Sequence, residues 1–278
     1  MTQTVLITGC STGFGEASAR HFAERGWNVV ATMRDPAAGR TLAQHRNILV
    51  TRLDVQDRDS ITAAVALTLD RFGRIDALVN NAGFGLAGVF EETPRAKMIE
   101  QFDVNVFGLM DVTRAVLPTM RQQRRGTIVN ISSGAGIIGL PMIALYTASK
   151  FAVEGFSESL SYELETVGIR VRIVEPGGVN TNFNTRMDAE TRYAEPIADY
   201  EPFRSGAERL YDGLRANQAH ADVAQVAESI YNATVDSSDR LRWLATEEVK
   251  PLAHARRETN EEAYMDTMRG YFRFPEPE

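Results

Sequence analysis

Cysteine is nearly missing from this chain: Cys10 is the single one among 278 residues. An intramolecular disulfide is therefore impossible, and the expectation is an intracellular, cytoplasmic protein in a reducing compartment. Long apolar runs are missing as well. No stretch approaches the ~18 uninterrupted apolar residues that a membrane span needs. Met1-Thr2-Gln3 leads straight into Thr4-Val5-Leu6-Ile7, which is not the pattern of a signal peptide. Positive charge is in deficit, with 30 Lys and Arg against 37 Asp and Glu, a net charge of -7. That balance excludes nucleic acid as the main partner, because phosphate binding needs a basic surface. Histidine is scarce: His21, His45, His220 and His254 are far apart, and no CxxC or HExxH occurs. No metal site is expected. Repeats and low-complexity linkers are also absent.

What is present is a chain of 44% hydrophobic residues, enough to bury one large core over 1–278. Short β-branched runs at Val5–Thr8, Asn28–Thr32, Ile48–Arg52, Ala77–Asn80, Thr127–Ile131 and Arg170–Glu175 read as strands. Between them Gly15–Arg25, Asp57–Phe72, Arg95–Arg121 and Tyr146–Thr166 carry apolar residues at helical spacing. Sustained strand–helix alternation predicts an α/β fold: a single-domain, doubly wound parallel sheet of Rossmann type with helices on both faces and right-handed crossovers. After Glu175 the rhythm loosens. Pro176–Met187 reads as a loop, Pro196–Asn217 as a mixed helical stretch, Ala221–Val235 as a helix and Leu241–Ala245 as a strand. The tail from Arg256 is charged and then aromatic. A substrate loop or lid is expected over about 182–217 and a C-terminal extension from about 247.

Two local patterns carry chemistry. Tyr146 and Lys150 are four apart in a predicted helix, so the ammonium can sit beneath the phenol ring. A nearby cation favours the ionised phenol, which would lower the tyrosine pKa and make it a proton donor and acceptor near neutrality. Thr8-Gly9-Cys10-Ser11-Thr12-Gly13-Phe14-Gly15 follows the first strand and opens the first helix. Glycines there allow a tight turn and close approach of a ligand, while the helix N-terminus offers free N–H groups to a pyrophosphate. At the end of the second strand, dinucleotide folds often use an acid for the ribose 2′-hydroxyl. Aligned on Gly26, Met33 takes that position, with Arg34 after it. A guanidinium suits a 2′-phosphate, so NADP(H) is preferred; if Asp35 takes the ribose and Arg34 is a solvated charge, the cofactor is NAD(H).

In chain order, Thr8-Gly-x3-Gly13-x-Gly15, Asp54, Asn80-Asn81-Ala82-Gly83, Asn105, Ser133, Tyr146-x3-Lys150 and Pro176-Gly177-x-Val179-x-Thr181 resemble the single-domain branch of the short-chain dehydrogenase/reductase family. Thr-Gly-Cys-Ser-Thr-Gly-Phe-Gly and Ala-Thr-Met-Arg-Asp are similar to its NADP-using hydroxysteroid and retinol dehydrogenase-like members. The resemblance implies a catalytic set of Asn105, Ser133, Tyr146 and Lys150. It puts Gly9, Ser11, Thr12, Gly13, Phe14 and Gly15 against the cofactor, with Arg34. Asp54, with Val55 beside it, would lie near the adenine; Asn81, Ala82 and Gly83 would line the cleft. Pro176, Gly177, Val179 and Thr181 would meet the nicotinamide, Val179 through its backbone and Thr181 through the carboxamide. Lys150 would also bond the nicotinamide ribose. Asn105 would bend its helix and hold a water on a proton route to the lysine, or else be a local hydrogen-bonding defect. Ser132 is the rival of Ser133; the family spacing, and alternation at the strand end, favour Ser133. A homodimer or homotetramer through Arg95–Arg121 and Tyr146–Thr166 is implied in the same way.

The expected substrate is a small-molecule carbonyl or alcohol. Ile137, Ile138, Leu140, Met142, Ile143, Phe183, Met187, Tyr193, Tyr200 and Phe203 offer an apolar wall, or belong to the core. Arg186, Arg192 and Arg204 could greet a carboxylate or be a solvated face. A non-catalytic nucleotide sensor on the same scaffold is the alternative from a different class.

Overall fold

Strand β1 (Thr4–Ile7) is buried along its whole length, as a strand covered on both faces must be. In the computed structural model, which describes residues 2–179, 181–191, 196–217 and 222–272, six more strands among those residues join it in one parallel sheet. They are β2 (Asn28–Met33), β3 (Ile48–Arg52), β4 (Ala77–Asn80), β5 (Gly126–Ile131), β6 (Ile169–Glu175) and β7 (Arg242–Leu244). The order is β3-β2-β1-β4-β5-β6-β7. Register joins Val5 to Val29 and to Ala77, so the direction of winding reverses between β1 and β4. A crevice opens beyond the carboxyl ends of strands at such a reversal.

Alternation along the strands divides the core into two layers. Val5, Ile7, Val29, Ala31, Val79 and Val129 face α1 (Gly13–Glu24) and α8 (Val223–Val235), packing with Phe22, Val226 and Ile230. Leu6, Val30, Leu78 and Ile128 face α2 (Arg58–Phe72), α4 (Leu109–Gln123) and α5 (Ala144–Glu165), packing with Ile61, Val112, Val116 and Leu160. Each layer seals one face of the sheet. The predicted doubly wound architecture is the one observed, with strand ends within a residue or two of those read from the sequence.

The structure departs from the reading at four places. The expected single helix Arg95–Arg121 is three pieces: α3 (Arg95–Phe102), a π-helical turn (Asp103–Gly108) and α4. The segment read as a loop contains α6 (Asn182–Glu190), started by Thr181, whose hydroxyl accepts the Phe183 N–H at 3.2 Å. The mixed stretch resolves into a short 3-10 turn (Ala198–Tyr200) and α7 (Glu201–Asn217). The charged and aromatic tail is helical as α9 (Val249–Glu258) and α10 (Glu261–Phe272), because Val249, Ala253, Tyr264 and Met268 find an apolar partner in Ile137 and Ile138. Tyr193, Arg192, Ala221 and Phe274 lie outside the described residues. No helix among the described residues is long and apolar enough to cross a membrane.

Candidate active site

The glycine loop is shaped by contacts that exclude side chains. Gly9 and Gly13 have φ of 73° and 62°, and a Cβ on Gly15 would lie 2.3 Å from the Gly9 carbonyl oxygen. Thr12 stands at the start of α1, yet its side chain makes no capping bond. The N–H groups of the first turn are thus left to a ligand, which fits a pyrophosphate. Ser11 and Thr12 are exposed at the lip, whereas Phe14 leans against the core. Beneath the loop, the Thr8 hydroxyl accepts the N–H groups of Asn81 and Ala82, each at 3.0 Å. The Asn81 side-chain amide donates to the carbonyls of Thr8 (2.9 Å) and Gly9 (3.1 Å). These bonds tie the end of β4 to the end of β1 at the crevice. Gly83 follows, packed tightly on Asn105: a Cβ there would be 3.1 Å from Oδ1.

Arg34 is exposed at the end of β2, and its charge reaches Arg186 and Glu190 on α6. Asp35 is otherwise engaged. Its carboxylate accepts the Ala37 N–H at 2.9 Å and starts a 3-10 turn over Pro36–Gly39. Asp54 closes its own turn, accepting the Gln56 N–H at 3.1 Å, and Val55 is buried against Gly108. Across the cleft, a Cβ on Gly13 would lie 3.9 Å from that of Thr181, while Val179 is buried and Pro176 and Gly177 leave β6 beside Gly134.

The proposed catalytic residues converge. The Ser133 hydroxyl lies close enough to the Tyr146 phenol to favour its ionised form, and Lys150 lies on the same α5 face with Nζ 5.6 Å from the Tyr146 ring centroid. The ammonium donates to the Ile131 carbonyl at 2.8 Å. Ser132, by contrast, turns into the interior, where its hydroxyl is fully buried, as strand alternation requires. Asn105 sits in the π-helical turn. Its side chain accepts the Phe84 N–H (3.0 Å) and donates to the Phe84 carbonyl (2.8 Å) and to Ser149 Oγ (3.1 Å). Ser149 Oγ in turn donates to the Tyr146 carbonyl at 2.7 Å. The Asn105 amide therefore holds the start of α5 through Ser149.

One expectation is reversed. Burial pushes the Tyr146 phenol up to about 12, and the neighbouring Ser133 hydroxyl pulls it down only partly. Burial likewise pulls Lys150 down to about 8, against the attraction of Glu154. Desolvation outweighs the pairing that the Tyr–Lys spacing suggests. Cys10 is also buried, its thiol pushed up to about 12 by burial, which makes it unreactive. Among the described residues no cluster of three or more potential metal ligands occurs.

Of the expected apolar wall, Leu140, Ile143, Phe183 and Met187 surround Tyr146, with the Phe183 and Tyr146 rings 5.6 Å apart. Ile137 and Ile138 belong to the core under α9, and Tyr200 points its hydroxyl at Glu91. Arg204 is no free anion receptor: it is paired with Glu92 and Glu201. Arg186 stacks on Phe84. Sequence reasoning missed Gln101, whose side chain fastens the Phe84 carbonyl (2.8 Å) and the Leu86 N–H (3.0 Å). The available signal was a polar pair, Gln101 and Asn105, at i and i+4 on a helix face.

Comparison with known proteins agrees with this geometry. Residues 3–192 match the short chain dehydrogenase family. The chain is 41% identical over 199 residues to a 3-ketodihydrosphingosine reductase of Bacteroides thetaiotaomicron, covering 71% of this chain and 72% of that protein. It is 42% identical over 204 residues to human (Homo sapiens) retinol dehydrogenase 8, covering 69% and 64%. Among solved structures, a short chain dehydrogenase/reductase from Burkholderia phymatum in complex with NAD superposes with a TM-score of 0.78 at 27% identity, covering 92% and 93%. ElxO with NADP bound superposes with a TM-score of 0.73 at 26% identity, covering 88% and 98%.

Proposed function

The chain belongs to the short-chain dehydrogenase family and is an oxidoreductase; on that premise we propose that it uses NADP(H) to interconvert a hydrophobic ketone or aldehyde and its alcohol. The approach of the Ser133 hydroxyl to the Tyr146 phenol, one helical turn from Lys150, carries this reading. Gly9, Ser11, Thr12, Gly13, Phe14 and Gly15 would hold the pyrophosphate, Asp54 and Val55 would flank the adenine, and Asn81, Ala82 and Gly83 would line the cleft. Pro176, Gly177, Val179 and Thr181 would border the nicotinamide, which supplies or takes the hydride when bound. Tyr146 keeps its proton across neutral pH and can give it to the oxygen on which charge builds during reduction. Ser133 orients that oxygen from the second side. Lys150 supplies positive charge beneath the ring, and Asn105 keeps the first turn of α5 in register through Ser149.

The related structures hold NAD in one case and NADP in another, so the chain's own residues must discriminate. Asp35 is committed to its turn and Arg34 is exposed, which supports a 2′-phosphate ligand. The apolar surroundings of Tyr146 support a hydrophobic substrate, and relatives named for retinol and 3-ketodihydrosphingosine support the same class. We also propose that two or more copies associate through α3–α5.

The test follows NADPH consumption against carbonyls from small aldehydes to quinones and steroid ketones. Tyr146→Phe should lower turnover by about 10²- to 10⁴-fold with NADPH affinity nearly unchanged. A variant that keeps near-wild-type turnover would end this reading.

A further inference from the structure

The segment after β7 lies outside the family match, and it is built against the floor of the site. Val249 of α9, with Ala253, Tyr264 and Met268, packs on Ile137 and Ile138, a few residues beyond Ser133. Thr246 Oγ1 accepts the Gly177 N–H at 2.9 Å. A Cβ on Gly177 would come within 2.6 Å of Glu248 Oε1 and 2.7 Å of Val249, so this contact is as close as the backbone permits. On the other side, the Pro176 carbonyl accepts the Gly134 N–H at 2.8 Å. Residues 134, 176–177 and 246–249 thus form one seam beside Ser133.

Glu175 is the root of that seam. It ends β6, and its carboxylate is 0% exposed. Arg257 of α9 reaches both carboxylate oxygens, the longer bond being 3.3 Å. Three charged groups face Glu175: Arg257 of α9, Glu154 of α5 and Arg242 of β7. Arg242 is already shared between Glu154, at 3.0 Å, and Glu158. Arg257 is therefore the cation given to Glu175. A buried carboxylate deprived of its cation must take up a proton or leave its place.

We propose that Arg257 is a positioning residue for the nicotinamide half of the cofactor site: it holds the Glu175 carboxyl in place and so keeps Pro176–Gly177 seated between Gly134 and Thr246. The proposal rests on the functional reading above and gives the C-terminal unit a role in it. Burial holds the Glu175 carboxyl up to about 7 even beside the guanidinium. Without Arg257 the ionised form is less tolerable still. The native seam then persists at low pH, where Glu175 is neutral, and is lost as pH rises through the raised value.

NADPH titrations of the full chain, read by fluorescence in mildly acidic and mildly alkaline buffer, test this, with melting temperatures recorded alongside. Arg257→Met should bind NADPH about tenfold more weakly in the alkaline buffer than in the acidic one, after subtracting any change in the wild type, because binding takes up one proton. Arg257→Lys should restore most of that loss. The double variant Glu175→Gln, Arg257→Met should bind equally in both buffers. If Arg257→Met alone does not fold, a folded double variant supports the proposal. A pH-independent Arg257→Met, a loss that Glu175→Gln does not relieve, or misfolding of both variants would overturn it. Wild type that binds NADPH without reducing any carbonyl would sink the reductase reading and leave this comparison intact. Wild type that binds only NADH would move the same titration to NADH. Wild type that binds neither would overturn both.

Discussion

Arg34 and Asp35 are neighbours with different employment. The Asp35 carboxylate bonds Ala37 N–H, whereas the Arg34 guanidinium stands exposed near α6. A charge-assisted bond to a 2′-phosphate contributes about 1.5–3 kcal/mol, so Arg34→Ala should lower kcat/KM for NADPH by about ten- to a hundredfold. The value for NADH should change little, and kinetics with both cofactors checks it; equal losses for both would reject the assignment. Helical spacing singled out Tyr146 and Lys150, and the resemblance to the family added Ser133 and Asn105 as candidates. The direction of the Tyr146 shift was not legible, because it follows from burial that no spacing reports. Gln101, and the bonds that Thr8 makes beneath the loop, were missed for a related reason: these side chains bond backbone groups elsewhere in the chain.

At the scale of elements, α6 is the informative miss. Its apolar residues Phe183 and Met187 are four apart, too few for a periodic signal in a segment that begins Pro176-Gly177. Their partner, the Tyr146 ring, lies far earlier in the chain. Phe183→Ala removes the ring that packs on Tyr146, so α6 should open more often and trypsin should cleave after Arg186 about tenfold faster. NADPH should slow that cleavage in the wild type. Cleavage indifferent to both the substitution and the cofactor would show that α6 is no lid. The π-helical turn also escaped periodicity, since it adds a residue to one turn of an otherwise regular apolar pattern. Helices α9 and α10 escaped because half of their residues are charged or polar and their buried stripe is narrow.

For the whole molecule, strand–helix alternation was enough to read the two-layered parallel sheet, because the burial of the inner strands β1, β2, β4, β5 and β6 on both faces is written in their composition. Association between copies is a property the fold leaves open. Ile99 and Phe107 are 47% and 56% exposed and line a common groove, while Phe151 and Tyr162, three helical turns apart on one face of α5, are 42% and 66% exposed. Phe107→Glu should shift the mass in sedimentation or light scattering toward the monomer; a wild type that is already monomeric would sink the proposed assembly. The pairing of β1 with both β2 and β4 has a consequence during synthesis. When the ribosome has delivered only the first three strands, β1 has one bare edge, and the Thr4 N–H still lacks Asp76, its partner 72 residues on at 2.9 Å. That unfinished half-sheet is the stage at which a nascent chain is most open to pairing with the wrong strand, so delay between β3 and β4 is where this protein would most depend on chaperones.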